Sequence, residues 1–222
     1  MILIEPNKVY NRKHKRYYTA LFIFLLSCTM FLLIYIQHYD SFSSDKRLGY
    51  ILSDWIGSNL IEVIQLISEL ASKPAIILIT LLSMVVLWLW KKDYVGMITL
   101  FVFVFVGNLT NKLLKNLIQR ERPLIEGHIV EGYSFPSGHV MVGLIMYGLI
   151  VYYIFHYTHN AFIKIITLSL AILLMTVIGF SRIIMLEHFL TDVLAGYCLG
   201  GLMLMMGIIV YRYLFRRFHK SV

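Results

Sequence analysis

The residues able to do chemistry fall in three short blocks. Lys115 and Arg122 stand seven positions apart with Pro123 following; Pro136, Ser137, Gly138 and His139 run together ahead of a long apolar stretch; Ser181 and Arg182 precede His188 and Asp192, which are four apart. On a helix, a spacing of seven puts Lys115 and Arg122 on one face, two turns apart, with Pro123 ending the run, so two cations converge. Ser137 suits a helix N-cap and Gly138 permits close backbone approach, so the free N–H groups and dipole of the following helix would meet an anion. A spacing of four lets the Asp192 carboxylate meet the His188 imidazole, fix its tautomer and leave the other ring nitrogen free to attack phosphorus. His139 is available as acid or base, and Arg182 as a planar cation that grips two phosphate oxygens.

Singly, each block has a plain structural reading. Lys115 and Arg122 are ordinary snorkelling side chains at a helix end, Ser137 is an N-cap and nothing more, and His188 with Asp192 is a satisfied pair at a membrane interface. What joins them is location, because all three blocks fall at one face of the membrane once the spans are assigned.

The elements that must position these blocks are membrane helices. The 222 residues are 59% hydrophobic and 14% charged, outside the usual range for a soluble domain. A hydrocarbon core about 30 Å thick needs roughly 20 apolar residues per helix. Such stretches run from Tyr18 to Gln37, Ala75 to Trp90, Val95 to Leu114, Val140 to Tyr157, Phe162 to Phe180 and Val193 to Tyr213. The expected fold is therefore all-α, a polytopic bundle of six transmembrane helices, with residues 1–17 a basic N-terminal segment, 18–213 the transmembrane domain and 214–222 a basic tail. The first span follows a basic head as a signal peptide would, but its apolar run is too long and no small-residue cleavage pattern follows, so it is expected to be retained. Between Ile56 and Leu70, the residues Ile56, Leu60, Val63, Ile64, Ile67 and Leu70 recur at helical spacing opposite Glu62, Gln65 and Glu69, which predicts an interfacial amphipathic helix, a packing strut in preference to a lid or lipid guide, left out of the site.

Charge sets the orientation. Lys8, Arg12, Lys13, Lys15 and Arg16 precede the first span, Lys91 and Lys92 follow the second, and Arg212, Arg216, Arg217 and Lys220 end the chain, which places both termini in the cytoplasm and the three blocks on the extracytoplasmic face. Lys115, Arg120, Arg122 and Arg182 break that bias, as cations gathered around an anion would. The net charge of +8 sits at helix ends and forms no stripe, so nucleic acid is not an expected partner. Cys28 and Cys198 lie within spans and suggest neither a disulfide nor a metal site. Gly196 and Gly200 are expected to make a close helix contact within the bundle. Glu121, Glu126, His128, Glu131 and Glu187 lie near the blocks and could tune substrate choice or product release, though solvated loops are the favoured reading; His156 and His159 are expected on the opposite face.

With these residues set out, the chain resembles the type 2 phosphatidic acid phosphatases, also called lipid phosphate phosphatases. That family's signature is Lys, six residues, Arg-Pro; then Pro-Ser-Gly-His; then Ser-Arg, five residues, His, three residues, Asp. Lys115, Arg122 and Pro123, Pro136 to His139, and Ser181, Arg182, His188 and Asp192 match it at every position. The resemblance implies a membrane lipid phosphatase in which His188, held by Asp192, becomes phosphorylated and His139 protonates the leaving lipid alkoxide. Lys115, Arg122, Arg182, Ser137 and Gly138 would bind the phosphate, with no metal and no cofactor.

The small size and short loops resemble bacterial members. The implied substrates are undecaprenyl pyrophosphate of cell-wall synthesis, placed first, phosphatidylglycerol phosphate and phosphatidic acid. A non-catalytic lipid-phosphate binding or transport protein is the alternative. The similar anion pocket of vanadate-dependent haloperoxidases belongs to large soluble proteins and is disfavoured by six spans. Sequence leaves the oligomeric state open.

Overall fold

The computed structural model describes residues 6–38, 47, 49–52, 55–123 and 132–219. In chain order its helices are α1 (Pro6–His38), α2 (Ser58–Ser68), α3 (Lys73–Val86), α4 (Tyr94–Ile118), α5 (Gly138–Tyr157), α6 (Ala161–Ile184) and α7 (Leu190–His219). A turn of 3-10 helix (Glu69–Ala71) links α2 to α3, and a π-helical turn (Leu87–Lys91) ends α3. Six of these helices are long and apolar enough to cross a bilayer. The expected spans are all present. Their ends differ, since α1 is helical from Pro6, α4 runs on to Ile118, α6 to Ile184, and α7 starts at Leu190.

The ends are set by local chemistry. The Asp93 side chain caps α4 by accepting from the Gly96 N–H at 2.8 Å, and Asn160 caps α6 by accepting from Phe162 and Ile163. Left-handed residues stop two helices: Lys92 (φ 50) after α3 and Gln119 (φ 52) after α4.

The helices α5 and α7 form the centre, with α4, α6 and α1 packed around them. Val140, Met141, Ile145, Met146 and Leu149 of α5 are fully buried. Large apolar side chains such as Phe24, Phe31, Ile77 and Leu170 remain exposed on the outer helices, as they must where the surrounding medium is hydrocarbon. Glycines bring the central pair together. A Cβ at Gly196 would stand 3.0 Å from the Ser137 carbonyl oxygen, and one at Gly200 2.8 Å from that of Met141, so both belong to the α5–α7 contact expected from their spacing.

At the end remote from the three blocks, Asp93 is buried and holds three helices. Its Oδ2 accepts from the hydroxyls of Tyr157 at 2.7 Å and Tyr211 at 2.9 Å, which ties α4 to both α5 and α7. His156 packs there among Tyr152, Tyr157, Tyr211 and Phe215, on the face expected of it.

The amphipathic helix is present as α2 and packs on α6. Its stripes differ from the expected ones. Ile61, Ile64, Ile67 and the buried Ser68 turn inward, whereas Leu60, Val63, Leu66 and Leu70 are exposed beside Glu62, Gln65 and Glu69. One apolar stripe serves packing, and a second is left to face lipid.

Candidate active site

The C-terminal end of α4, the N-terminal end of α5 and the turn between α6 and α7 meet at one end of the bundle. Lys115 lies on the last turn of α4 and donates to the Tyr133 carbonyl. The expectation that Lys115 and Arg122 share a helix face is corrected: Gln119, in the left-handed conformation, donates its N–H to Lys115 O at 2.9 Å and ends the helix three residues before Arg122, so Pro123 is not the terminator. Beyond that turn the chain runs non-helically and folds against the segment before α5. Ser134 N donates to Arg120 O at 2.8 Å, and Arg122 Nε to Gly132 O at 3.0 Å. Arg122 still reaches the site, because its Nη1 donates to the Glu187 carbonyl at 2.8 Å.

Ser137 is the N-cap residue of α5, as expected, but its side chain makes no capping bond. Its Oγ is fully buried without a hydrogen-bond partner, while its main-chain N–H donates to Asp192 O at 3.1 Å. Gly138 fits close against Asn111, whose Oδ1 would stand 3.1 Å from a Cβ there. Asn111 Nδ2 in turn donates to Pro136 O at 3.0 Å, fixing the turn from the flank of α4.

Arg182 is almost wholly buried in the last turn of α6. Its Nη1 lies 2.8 Å from Glu187 Oε2 and 3.4 Å from His139 Nε2, its Nε donates to Ser181 Oγ, and its Nη2 donates to Ser68 Oγ. A guanidinium has no acceptor, so the His139 Nε2 facing it presents a lone pair. Arg182 reaches the Glu187 carboxylate and Arg122 its carbonyl, which brings the two guanidiniums together beside His139.

His188 precedes α7 instead of lying within it. Phe189 is positioned as the N-cap, and Asp192 Oδ2 reaches back to accept from Phe189 N at 2.9 Å, the carboxylate half of a capping box. That same oxygen stands 3.6 Å from His188 Nδ1, longer than a hydrogen bond. The expected pair is therefore present through a helix start, with Nδ1 the ring nitrogen on the Asp192 side. Burial pushes the His188 pKa below its usual 6.5, with Lys115 and Arg122 acting in the same direction and Asp192 against it. Burial likewise lowers that of Arg122, opposed by Glu187 and Asp192.

Sequence reasoning missed several participants. Arg120 is expected with Lys115, Arg122 and Arg182 as a cation around an anion, but its partner is a protein carboxylate. It is buried, and its Nη1 donates to Asp192 Oδ1 at 2.5 Å and to Thr191 Oγ1 at 2.7 Å, with its guanidinium carbon 4.1 Å from the Phe189 ring centroid. Glu187, expected in solvent, is paired with Arg182, whereas Glu121 is exposed as expected; Glu126, His128 and Glu131 lie outside the described residues. Ser68, at the end of α2, is bonded to Arg182, so a helix left out of the site by sequence touches one of its candidate residues. No periodicity distinguishes these residues, because their roles depend on side chains meeting across helices. Among the described residues, no group of three or more His, Cys, Asp or Glu is disposed to hold a metal ion.

One end of the membrane bundle thus gathers Lys115, Arg120, Arg122, Arg182, His139, His188 and the N-terminus of α5. The chain belongs to the PAP2 superfamily, whose sequence pattern matches residues 95–218, and it is a multi-pass membrane protein. It is similar to phosphatidylglycerophosphatase B of Bacillus subtilis, with 33% identity over 123 residues, 53% of this chain and 58% of that protein. The match thus spans under two thirds of that relative's length. The crystal structure of a transmembrane PAP2-type phosphatidylglycerolphosphate phosphatase from Bacillus subtilis superimposes with a TM-score of 0.75 at 25% identity, covering 86% of this chain and 94% of the other. Aquifex aeolicus LpxE shares the fold, with a TM-score of 0.57 at 20% identity over 75% of this chain and 94% of its own.

Proposed function

We propose that this protein is a lipid phosphatase that hydrolyses a phosphate ester of a membrane lipid through a phosphohistidine on His188. The observation that carries this reading is the buried Ser137 hydroxyl at the start of α5, which has no hydrogen-bond partner and sits on a turn bonded to Asp192, at the bundle end that holds Lys115, Arg122 and Arg182. A polar atom left so in a protein interior is costly unless a ligand completes it, and only an anion suits those surroundings.

In this scheme Lys115, Arg122 and Arg182 hold the non-bridging oxygens, joined by Ser137 Oγ and the main-chain N–H groups at Gly138 and His139. His188 Nε2 attacks phosphorus and the bond to the lipid oxygen breaks. His139 gives that oxygen its proton, and the negative charge that a bound phosphate adds favours the protonated form of His139. Asp192 stabilises the imidazolium through Nδ1. Water then attacks the phosphohistidine, His139 takes the proton from it, and inorganic phosphate leaves with His188 restored. The scheme uses fixed cations and requires neither metal nor cofactor.

The names of the Bacillus subtilis relatives support phosphatidylglycerol phosphate as the first substrate to test, ahead of undecaprenyl pyrophosphate and phosphatidic acid. The clustering of Lys and Arg at the other ends of the helices supports cytoplasmic termini and a site on the outer face of the cell membrane.

The test is phosphate release by purified protein in detergent, with EDTA present, from the three lipids side by side. Release from any of them is the expected result, and kcat/KM ranks the substrates. Silence from folded protein on all three would favour a non-catalytic lipid-phosphate binding or transport protein.

A further inference from the structure

Every nitrogen of the Arg182 guanidinium already has a partner within the protein. Nε faces Ser181 Oγ, Nη2 faces Ser68 Oγ and Met185 Sδ, and Nη1 faces His139 Nε2 and Glu187 Oε2. An arginine arranged in this way cannot take a phosphoryl oxygen unless one partner yields. Ser68 and Ser181 are fully buried and neutral, and His139 and Met185 carry no negative charge to trade against a phosphate. Glu187 differs on both counts. It is the anion of the set, and its side chain is 17% exposed against 3% for Arg182, so it stands at the rim with water on one side.

Its main chain, by contrast, is fixed. Glu187 N donates to Arg182 O at 3.1 Å, and its carbonyl accepts from Arg122 Nη1 at 2.8 Å. Leu186, at φ 53, turns the chain so that Glu187 lies between the two guanidiniums. Its carboxylate can swing outward about its own side-chain bonds while the arginines stay where they are.

We propose that the Glu187 carboxylate is an internal stand-in for phosphate, competing with substrate and product for Arg182. Resting on the phosphatase reading, this assigns Glu187 to affinity and product release: the carboxylate yields to the arriving phosphoryl group, keeps Arg182 oriented between turnovers, and returns as inorganic phosphate departs. The apparent affinity of a site scales with the fraction of time it is competent. A carboxylate that claims Arg182 about nine-tenths of the time therefore weakens phosphate binding about tenfold.

The experiment compares wild type, Glu187→Gln and Glu187→Asp in detergent. It reads the inhibition constant for inorganic phosphate and for orthovanadate, KM and kcat on phosphatidylglycerol phosphate, and direct phosphate binding by calorimetry. In Glu187→Gln the inhibition constants and KM should fall about tenfold and kcat should fall with slower phosphate release. Glu187→Asp, which keeps the charge but shortens its reach, should fall partway and serves if the Gln variant does not fold. Unchanged or weakened phosphate affinity in a folded variant overturns the proposal and leaves Glu187 as a brace for Arg182. If wild type turns over no lipid, the phosphatase reading fails on its own, and calorimetry still decides the competition.

Discussion

Arg120 Nη1 lies 2.5 Å from Oδ1 of Asp192, in a pair with almost no solvent access, while the other carboxylate oxygen faces His188 and the Phe189 N–H. The two oxygens are thus divided between a cation outside the family signature and the imidazole inside it. Arg120 holds the group that holds His188, and it supplies the counter-charge that makes a buried aspartate tenable. It links the segment after α4 to the start of α7, where Thr191 and Phe189 also contact it.

Removing that counter-charge should be severe. Arg120→Gln is expected to destabilise the protein by about 3–5 kcal/mol, the usual cost of orphaning a buried charge. Arg120→Lys should recover most stability yet lower kcat by roughly tenfold with KM little changed, because an ammonium lacks the planar fork that contacts Asp192 and Thr191 together. Thermal midpoints and steady-state kinetics on the same preparations check both. A Lys variant with full kcat would show that charge alone suffices.

His188→Ala should reduce turnover below detection without lowering the thermal midpoint, since it removes a buried group whose Nδ1 has no hydrogen-bond partner. Asp192→Asn should slow turnover by about 10³- to 10⁴-fold through the wrong tautomer. Rapid acid quench with ³²P-labelled substrate, read under conditions that preserve phosphohistidine, should trap labelled protein in wild type and none in His188→Ala. Label persisting in that variant would move the nucleophile elsewhere.

The pH dependence follows from the burial of His188. The folded protein holds this imidazole below its usual 6.5, so the neutral, nucleophilic form persists there and the acid limb of kcat/KM should fall below pH 6.5. Stability carries the same sign. The unfolded chain takes up a proton near 6.5 and the folded one resists it, so this contribution is intact above about 6.5 and is lost as pH drops beneath it. A pH series of kcat/KM and of thermal midpoints reads both, and an acid limb above 6.5 would contradict the assignment.

Gly200→Ala would set a Cβ 2.8 Å from the Met141 carbonyl oxygen, where backbone must shift. A cost of about 1–3 kcal/mol is expected, typical of overpacking. Reduced activity should accompany it, because the same helix contact seats Ser137 against α7. An unchanged melting curve would mean that α5 and α7 have slack.

For orientation, cysteine at the exposed Glu121 in a background lacking Cys28 and Cys198 should react with an impermeant thiol reagent in intact cells, and cysteine at Arg217 only after lysis. The reverse pattern would invert the topology.

The three signature blocks and six spans were legible because apolar length and residue spacing are properties of the chain alone. Several expected spans stop short of a charge, as at Lys115, Arg182 and Asp192. Lys115, Arg182 and Asp192 nevertheless lie in helices, since each charge is met by a partner at the bundle's end and need not leave the helix to find water. Arg120 and Glu187 have partners that were not legible, for the converse reason. In the sequence they are ordinary loop charges, and only the left-handed turns at Gln119 and Leu186 aim one inward and the other between two arginines.

The Asp93 cluster has a bearing on how a lipid reaches the chemistry. Two buried aspartates, Asp93 with Tyr157 and Tyr211 at one end and Asp192 with Arg120 and the Ser137 N–H at the other, act as rungs of a ladder whose uprights are α5 and α7. Uprights fastened at both ends do not part to admit a guest. Under the proposed function, a lipid headgroup would travel along their outside and turn in at the Asp192 rung, with its acyl chains still in the bilayer.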